Sequence, residues 1–189
     1  MLHGAPEQAQ WHRAQPRRQL PPPVLRRIVE KALPGRRVLH AEPLHDGYRN
    51  ANFKMTLDAG PAAVLRVYEH DASLCAKEMD LLSLVRGVAP VPDVLFAGLQ
   101  GDDELPPYAV MQFVEGCTYR DLKRSGNPQA IAEAACSIGR TLAAIGSFRF
   151  ERVGWIGPGP QVTSPLLEGS DPLPRFVDLC LASPKLQAR

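Results

Sequence analysis

The chain has 189 residues, with 22 Lys/Arg against 20 Asp/Glu and 44% hydrophobic side chains. That length suits one domain, or a small lobe joined to part of another. No run of about 18 apolar residues offers a membrane-crossing helix, and the N-terminus lacks the apolar stretch of a secretory signal, so the expected compartment is the cytoplasm.

Charge is uneven along the chain. Residues 1–40 hold eight Lys/Arg and two Asp/Glu, and the remainder holds fourteen and eighteen. The early arginines are scattered among Gln and Pro, with no array of stacking aromatics. They read as a flexible basic leader over residues 1–23 and argue against a nucleic-acid surface. The four cysteines, Cys75, Cys117, Cys136 and Cys180, form no CxxC pair. A zinc site or a disulfide framework is not expected.

After "QLPPP", the segment "PVLRRIVEKAL" places Val24, Leu25, Ile28, Val29, Ala32 and Leu33 at helical spacing. Three strands follow: roughly residues 37–45, then "NFKMTL", then "AAVLRVY". In "NFKMTL", Phe53, Met55 and Leu57 alternate with polar neighbours, the period of a half-buried strand. "DAGP" is a turn signal, so the three strands form an antiparallel meander. "DASLCAKEMDLLSLVRG" reads as a helix, capped by Asp71 or Ser73 and ended by Gly87. "VPDVLFAG" and "PPYAVMQFV" are two more strands, separated by a polar loop. "TYRDLKRSG" is a short helix. "NPQAIAEAACSIGRTLAAIGSF" is a longer one, with Ile131, Ala134, Ala135, Ile138, Leu142 and Ile145 on one face. Beyond Phe150 the Gly- and Pro-rich sequence reads as a loop, with a last short helix through "RFVDLCLA".

One residue breaks the pattern. Arg66 sits inside the apolar strand "AAVLRVY", and a buried charge is costly without a partner. On a wheel of about 100° per residue, the next helix places Glu78 within the stripe of Leu74, Leu81, Leu82 and Val85. Lys77 and Asp80 point elsewhere and need no partner. Arg66 and Glu78 are the most economical solution to each other. On its own that pair could simply fix how helix meets strand.

The flanking segments suggest a use for it. "LHDGYRNANF" puts a glycine turn between two strands, where backbone N–H groups can approach an anion. "YAVMQFVEG" is an apolar strand that leaves the sheet and meets a glycine, a candidate purine-binding edge. In order, these parts resemble the small lobe of a protein-kinase-like phosphotransferase.

Through "DGYRNANFKM", "AAVLRVY", "AKEMDLLSLV", "VPDVL", "PPYAVMQFVEG" and "IGRTLAAIGSFRF", the chain resembles the aminoglycoside phosphotransferase and choline-kinase-like group of small-molecule kinases. The resemblance covers roughly residues 40–157. It implies an α+β fold: a five-stranded antiparallel sheet with one packed helix, over residues 24–115, then the first helices of an incomplete large lobe over 116–189. It implies ATP as the nucleotide, with Mg²⁺ in complete family members, and a small hydroxyl-bearing substrate. Gly47, Tyr48, Arg49 and Asn50 would belong to the loop over the triphosphate. Arg66 would contact the phosphates with a bidentate fork where many relatives have Lys, and Glu78 would orient it. Val64 would pack on adenine and Met111 would stand behind it. The carbonyl of Gln112 and the N–H of Val114 would read the base edge.

The family's large lobe carries a His-Gly-Asp catalytic core, a downstream Asn and a further metal-holding Asp. This chain has no His after His70, and Asp171 and Asp178 lack the neighbours of those motifs. No catalytic residue and no metal ligand is assigned. The expectation is a chain truncated before the catalytic loop and inactive alone, with residues 158–189 poorly ordered in isolation. The alternative is a non-catalytic nucleotide- or protein-binding module, with a protein partner over its exposed lobe surface. The acceptor substrate cannot be read from the sequence.

Overall fold

The computed structural model describes residues 18–44, 50–167 and 172–182. The leader up to residue 17 and the loop residues Gly47, Tyr48 and Arg49 lie outside them.

Helix α1 (Pro22–Ala32) begins on two prolines, whose missing N–H groups cost nothing in a first turn. Strands β1 (Val38–Pro43), β2 (Ala51–Leu57) and β3 (Ala63–Val67) form the expected meander. Its second turn uses Gly60 at φ 72°, a left-handed conformation that favours glycine. Helix α2 (Ser73–Val85) follows, its first turn held by the Asp71 carboxylate, which accepts from the Ser73 amide at 2.9 Å. Strands β4 (Val94–Gly98) and β5 (Tyr108–Gln112) complete a five-stranded sheet of order β1-β2-β3-β5-β4, antiparallel throughout.

Strand β2 alternates as the sequence predicts and β3 does likewise, and both faces of the sheet are used. Phe53, Met55, Leu65, Val67, Tyr108 and Val110 form one core with Val24, Ile28 and Val29 of α1. Tyr68, Ala109 and Met111 form a second with Cys75, and Leu74, Met79 and Leu82 of α2 pack against it. The apolar stripe of α2 is therefore turned slightly from the predicted one. It centres on Cys75 and Met79 as well as Leu82, and Glu78 falls inside it.

Polar contacts tie α1 to the far end of the sheet. Arg27 pairs with Asp102 at 3.0 Å and also with Glu104, both in the β4–β5 connection. Arg18 donates to Glu69 at 3.1 Å, in the segment joining β3 to α2.

Beyond the sheet come α3 (Tyr119–Arg124) and α4 (Pro128–Ile145). Their starts are capped by Thr118 and Asn127, whose side-chain oxygens accept from Asp121 and Ala130 amides. Neither helix contains a buried residue. The loop expected after Phe150 instead contains a hairpin, β6 (Gly154–Ile156) and β7 (Val162–Pro165). Its glycines allow close strand approach: a Cβ on Gly154 would run into the Ser164 carbonyl oxygen. Helix α5 (Pro172–Leu181) follows.

Candidate functional site

The site is built on the sheet face that carries α2. Side chains alternate along a strand, so β3 turns Val64 and Arg66 to the face opposite Leu65. Arg66 Nη2 lies 3.2 Å from Glu78 Oε2, the pairing predicted from the helix wheel. Their side chains keep 31% and 30% of their surface exposed, so the pair lies at the rim of the α2 packing and stays open to solvent. The Arg66 guanidinium also lies over the Tyr68 ring, 5.6 Å from its centroid.

Asn50 enters β2 beside this pair. It is the one buried polar side chain among the described residues, at 8% exposure. With its amide oxygen toward the guanidinium, it accepts from Arg66 Nη2 at 3.0 Å and from Nε at 3.2 Å. Asn50 thus reaches inward to Arg66. The bidentate edge expected to meet phosphate is engaged by Asn50.

Burial shapes the chemistry around the pair. It pushes the Cys75 thiol up to about 11, the nearby Glu78 carboxylate adding to the shift and Arg66 opposing it. It pushes the Tyr68 phenol well above its ordinary value, again with Glu78 adding. Both groups stay neutral beside the ion pair at physiological pH.

Val64 and Met111 are direct partners across β3 and β5, and both belong to the α2-side cluster. Gln112 ends β5. Its amide donates to the Asp93 carbonyl at 2.8 Å, and its side-chain oxygen accepts from the Asp93 amide at 3.4 Å. The Phe113 amide donates to Ala62 at 3.3 Å, the last link of the chain to β3. Val114 is 64% exposed, and among the described residues its N–H has no partner. The predicted residues Asn50, Arg66 and Glu78 therefore come together as one cluster, while Val64 and Met111 form an adjoining apolar patch.

One further residue, Lys54, belongs to this face, and Asp80 of α2 makes a contact elsewhere. Lys54 pairs across the sheet with Val64, and its Nζ lies 4.1 Å over the Phe113 ring. Strand alternation places Lys54 on the site face, but nothing in the sequence announces a cation–π contact with a residue beyond β5. Asp80, read as needing no partner, accepts from the Gly159 amide at 2.7 Å. That bond links α2 to the β6–β7 turn.

Among the described residues no three His, Cys, Asp or Glu side chains gather as a metal site. A cavity of about 530 Å³ is lined in part by Arg149, Arg152 and Val162, beside the hairpin and away from Arg66.

A 1-2-3-5-4 antiparallel sheet, with a strand cation tied to the carboxylate of the following helix, is the arrangement expected of a protein-kinase-like small lobe. Residues 40–186 match the phosphotransferase enzyme family, and the chain belongs to that family.

Several solved structures are similar to it. One is assigned as a fructosamine-3-kinase from Thermobifida fusca, 24% identical with a TM-score of 0.43 over 87% of this chain and 57% of that one. Another is the GDP complex of wild-type aminoglycoside 2'-phosphotransferase-IIIa, 22% identical with a TM-score of 0.37 over 48% of this chain and 30% of that one. A third is an aminoglycoside phosphotransferase in complex with GDP and kanamycin, 22% identical with a TM-score of 0.39 over the same 48% and 30%. The chain thus spans about a third to little more than half of these proteins. No curated protein matches it significantly.

Proposed function

We propose that this chain supplies the nucleotide side of an ATP-dependent phosphotransferase acting on a hydroxyl of a small molecule, and that it does not turn over substrate alone. The observation that carries this reading is the Arg66–Glu78 pair at 3.2 Å. A cation on a strand, held by a helix carboxylate and left partly open to solvent, suits nucleotide phosphates.

The groups around it fit a nucleotide in kind. Arg66 provides the charge. Val64 and Met111 provide an apolar wall for a base. The N–H of Val114 and the carbonyl of Gln112 provide polar edges for a purine. The Gly47 loop, with Tyr48 and Arg49, would close over the phosphates. In complete family members Mg²⁺ would come with the nucleotide, held by residues of the large lobe. This chain's own share is binding and orientation, with no proton-transfer group assigned. Phosphoryl transfer needs metal ions and a positioned nucleophile, so the cluster described here is insufficient for the reaction.

The test is nucleotide binding by the full chain. Fluorescent ADP should bind weakly, and Arg66→Ala should weaken it about tenfold or more, the effect of one charged contact. GTP and GDP are compared in parallel because two similar structures hold GDP. Equal binding by wild type and Arg66→Ala would refute the phosphate role. Steady ATP-dependent phosphorylation of a small hydroxyl compound by the purified chain would refute its inactivity.

A second reading, a non-catalytic binding module covered by a protein partner, draws on one observation. The apolar face of α4 is open, with Leu142 62% exposed and Ile138 42% exposed. Retention of nucleotide-independent binding to a partner by Arg66→Ala would favour it.

A further inference from the structure

Arginine normally meets a phosphate with two nitrogens at once, and for that reason Lys is a poor replacement for it. The surroundings of Arg66 alter that expectation. Its five N–H bonds lie in one plane, with paired edges formed by Nε and Nη2 and by Nη1 and Nη2. Asn50 takes the Nε–Nη2 edge, accepting from both nitrogens at 3.0 and 3.2 Å. Glu78 approaches Nη2 as well, at 3.2 Å. Its central carbon lies over the Tyr68 ring, 5.6 Å from the centroid. Among the described residues, none hydrogen-bonds Nη1.

We propose that Asn50 is a positioning residue that turns Arg66 into a single-nitrogen phosphate donor. With Asn50 on the Nε–Nη2 edge and the Glu78 carboxylate beside Nη2, Nη1 is left for the ligand, so that this arginine presents one nitrogen, as a lysine would. The ligand class is a nucleoside di- or triphosphate. This inference rests on the phosphate role proposed for Arg66.

The geometry gives Asn50 a reason to be an amide. A carboxamide oxygen can accept two N–H bonds without adding charge. The Glu78 carboxylate already balances the guanidinium, so a second carboxylate is not needed for neutrality. Burial at 8% exposure keeps water from competing for the same edge. An aliphatic side chain of similar size, such as Leu, would fill the space and release the edge.

Two readouts on the full chain test this. The first is the exchange rate of the Arg66 Nε–H, followed by nitrogen-edited NMR and assigned by its loss in Arg66→Lys. It needs no nucleotide. Asn50→Leu should speed that exchange about tenfold, the effect of one lost hydrogen bond, and Asn50→Asp should restore slow exchange. Unchanged exchange in Asn50→Leu would overturn the proposal. If Asn50→Leu does not fold, Asn50→Asp decides: slow Nε–H exchange supports the proposal and fast exchange overturns it.

The second readout is binding of fluorescent ADP. Arg66→Lys should keep affinity within about threefold, while Arg66→Ala loses it. A loss in Arg66→Lys as large as that in Arg66→Ala would overturn the single-nitrogen contact. Failure of the parent reading looks different. There, Asn50 still governs Nε–H exchange, while neither Arg66 variant changes ADP binding.

Discussion

Among the described residues, every buried hydrophobic side chain lies between Val24 and Met111. The helices beyond that region are built from similar material. Both α1 and α4 are amphipathic, and both begin with proline in the first turn. Yet Ile28 of α1 is 1% exposed and Leu142 of α4 is 62% exposed. The difference lies in what each helix meets. The sheet offers α1 a continuous apolar face made by Phe53, Leu65, Val67 and Val110. The nearest neighbour of α4 is the six-residue α3, which has no buried side chain. An amphipathic pattern specifies a face to be covered; only the topology supplies the cover.

That contrast can be broken most directly at Leu65, which is fully buried in the sheet core. Leu65→Ala should cost about 2–5 kcal/mol, by lost transfer and cavity terms, read from urea unfolding. A cost under about 1 kcal/mol would mean that the sheet region collapses around the gap and is not a close-packed core.

A smaller effect is expected at Cys75. Its thiol is fully buried, while Cys117 and Cys136 are exposed. Near about pH 8, iodoacetamide should label Cys117 and Cys136 and spare Cys75 until the chain unfolds. The folded thiol is held at about 11 against an ordinary 9.0. Between those values the unfolded chain loses its proton first, so stability falls as pH rises through that window. The Cys75→Ala variant should not show this component. Equal labelling of all three thiols in the native chain would place Cys75 outside the core.

The smallest effect is expected on α4. Leu142→Ser should change stability by no more than about 0.5 kcal/mol, as for other exposed positions. A loss of 2 kcal/mol or more, on the scale of about one buried leucine, would show that α4 is covered in solution, which would erase the contrast.

Much of this was legible in the sequence, and the reasons are local. The strands announce themselves by apolar runs between turn residues, with clear alternation in β2, and the Arg66–Glu78 pair follows from two periodicities meeting on one face. Other features depend on pairs of segments that no periodicity relates. Asn50 looks like a loop amide until β2 and β3 are paired. The Asp80–Gly159 bond joins residues 79 positions apart. The β6–β7 hairpin was hidden by composition, since Gly and Pro ordinarily signal a loop, whereas here Gly154 permits strands to approach closely. Pattern reading finds which side of a strand or helix is apolar, and it does not find which distant segment arrives there.

The position of α1 has a consequence for where this unit begins. The family match starts at residue 40, after α1 has ended. Val24, Ile28, Val29 and Ala32 nevertheless belong to the sheet core, and Arg27 reaches across to the β4–β5 connection. A fragment cut at the family border would lose the first two residues of β1 but keep the other strands and every residue of the Arg66 cluster. It would also leave one whole face of the sheet wet, with Phe53, Leu65 and Val110 exposed to water and to other chains. The unit recognised by its family pattern and the unit that folds have different borders, and the helix between them belongs to the second.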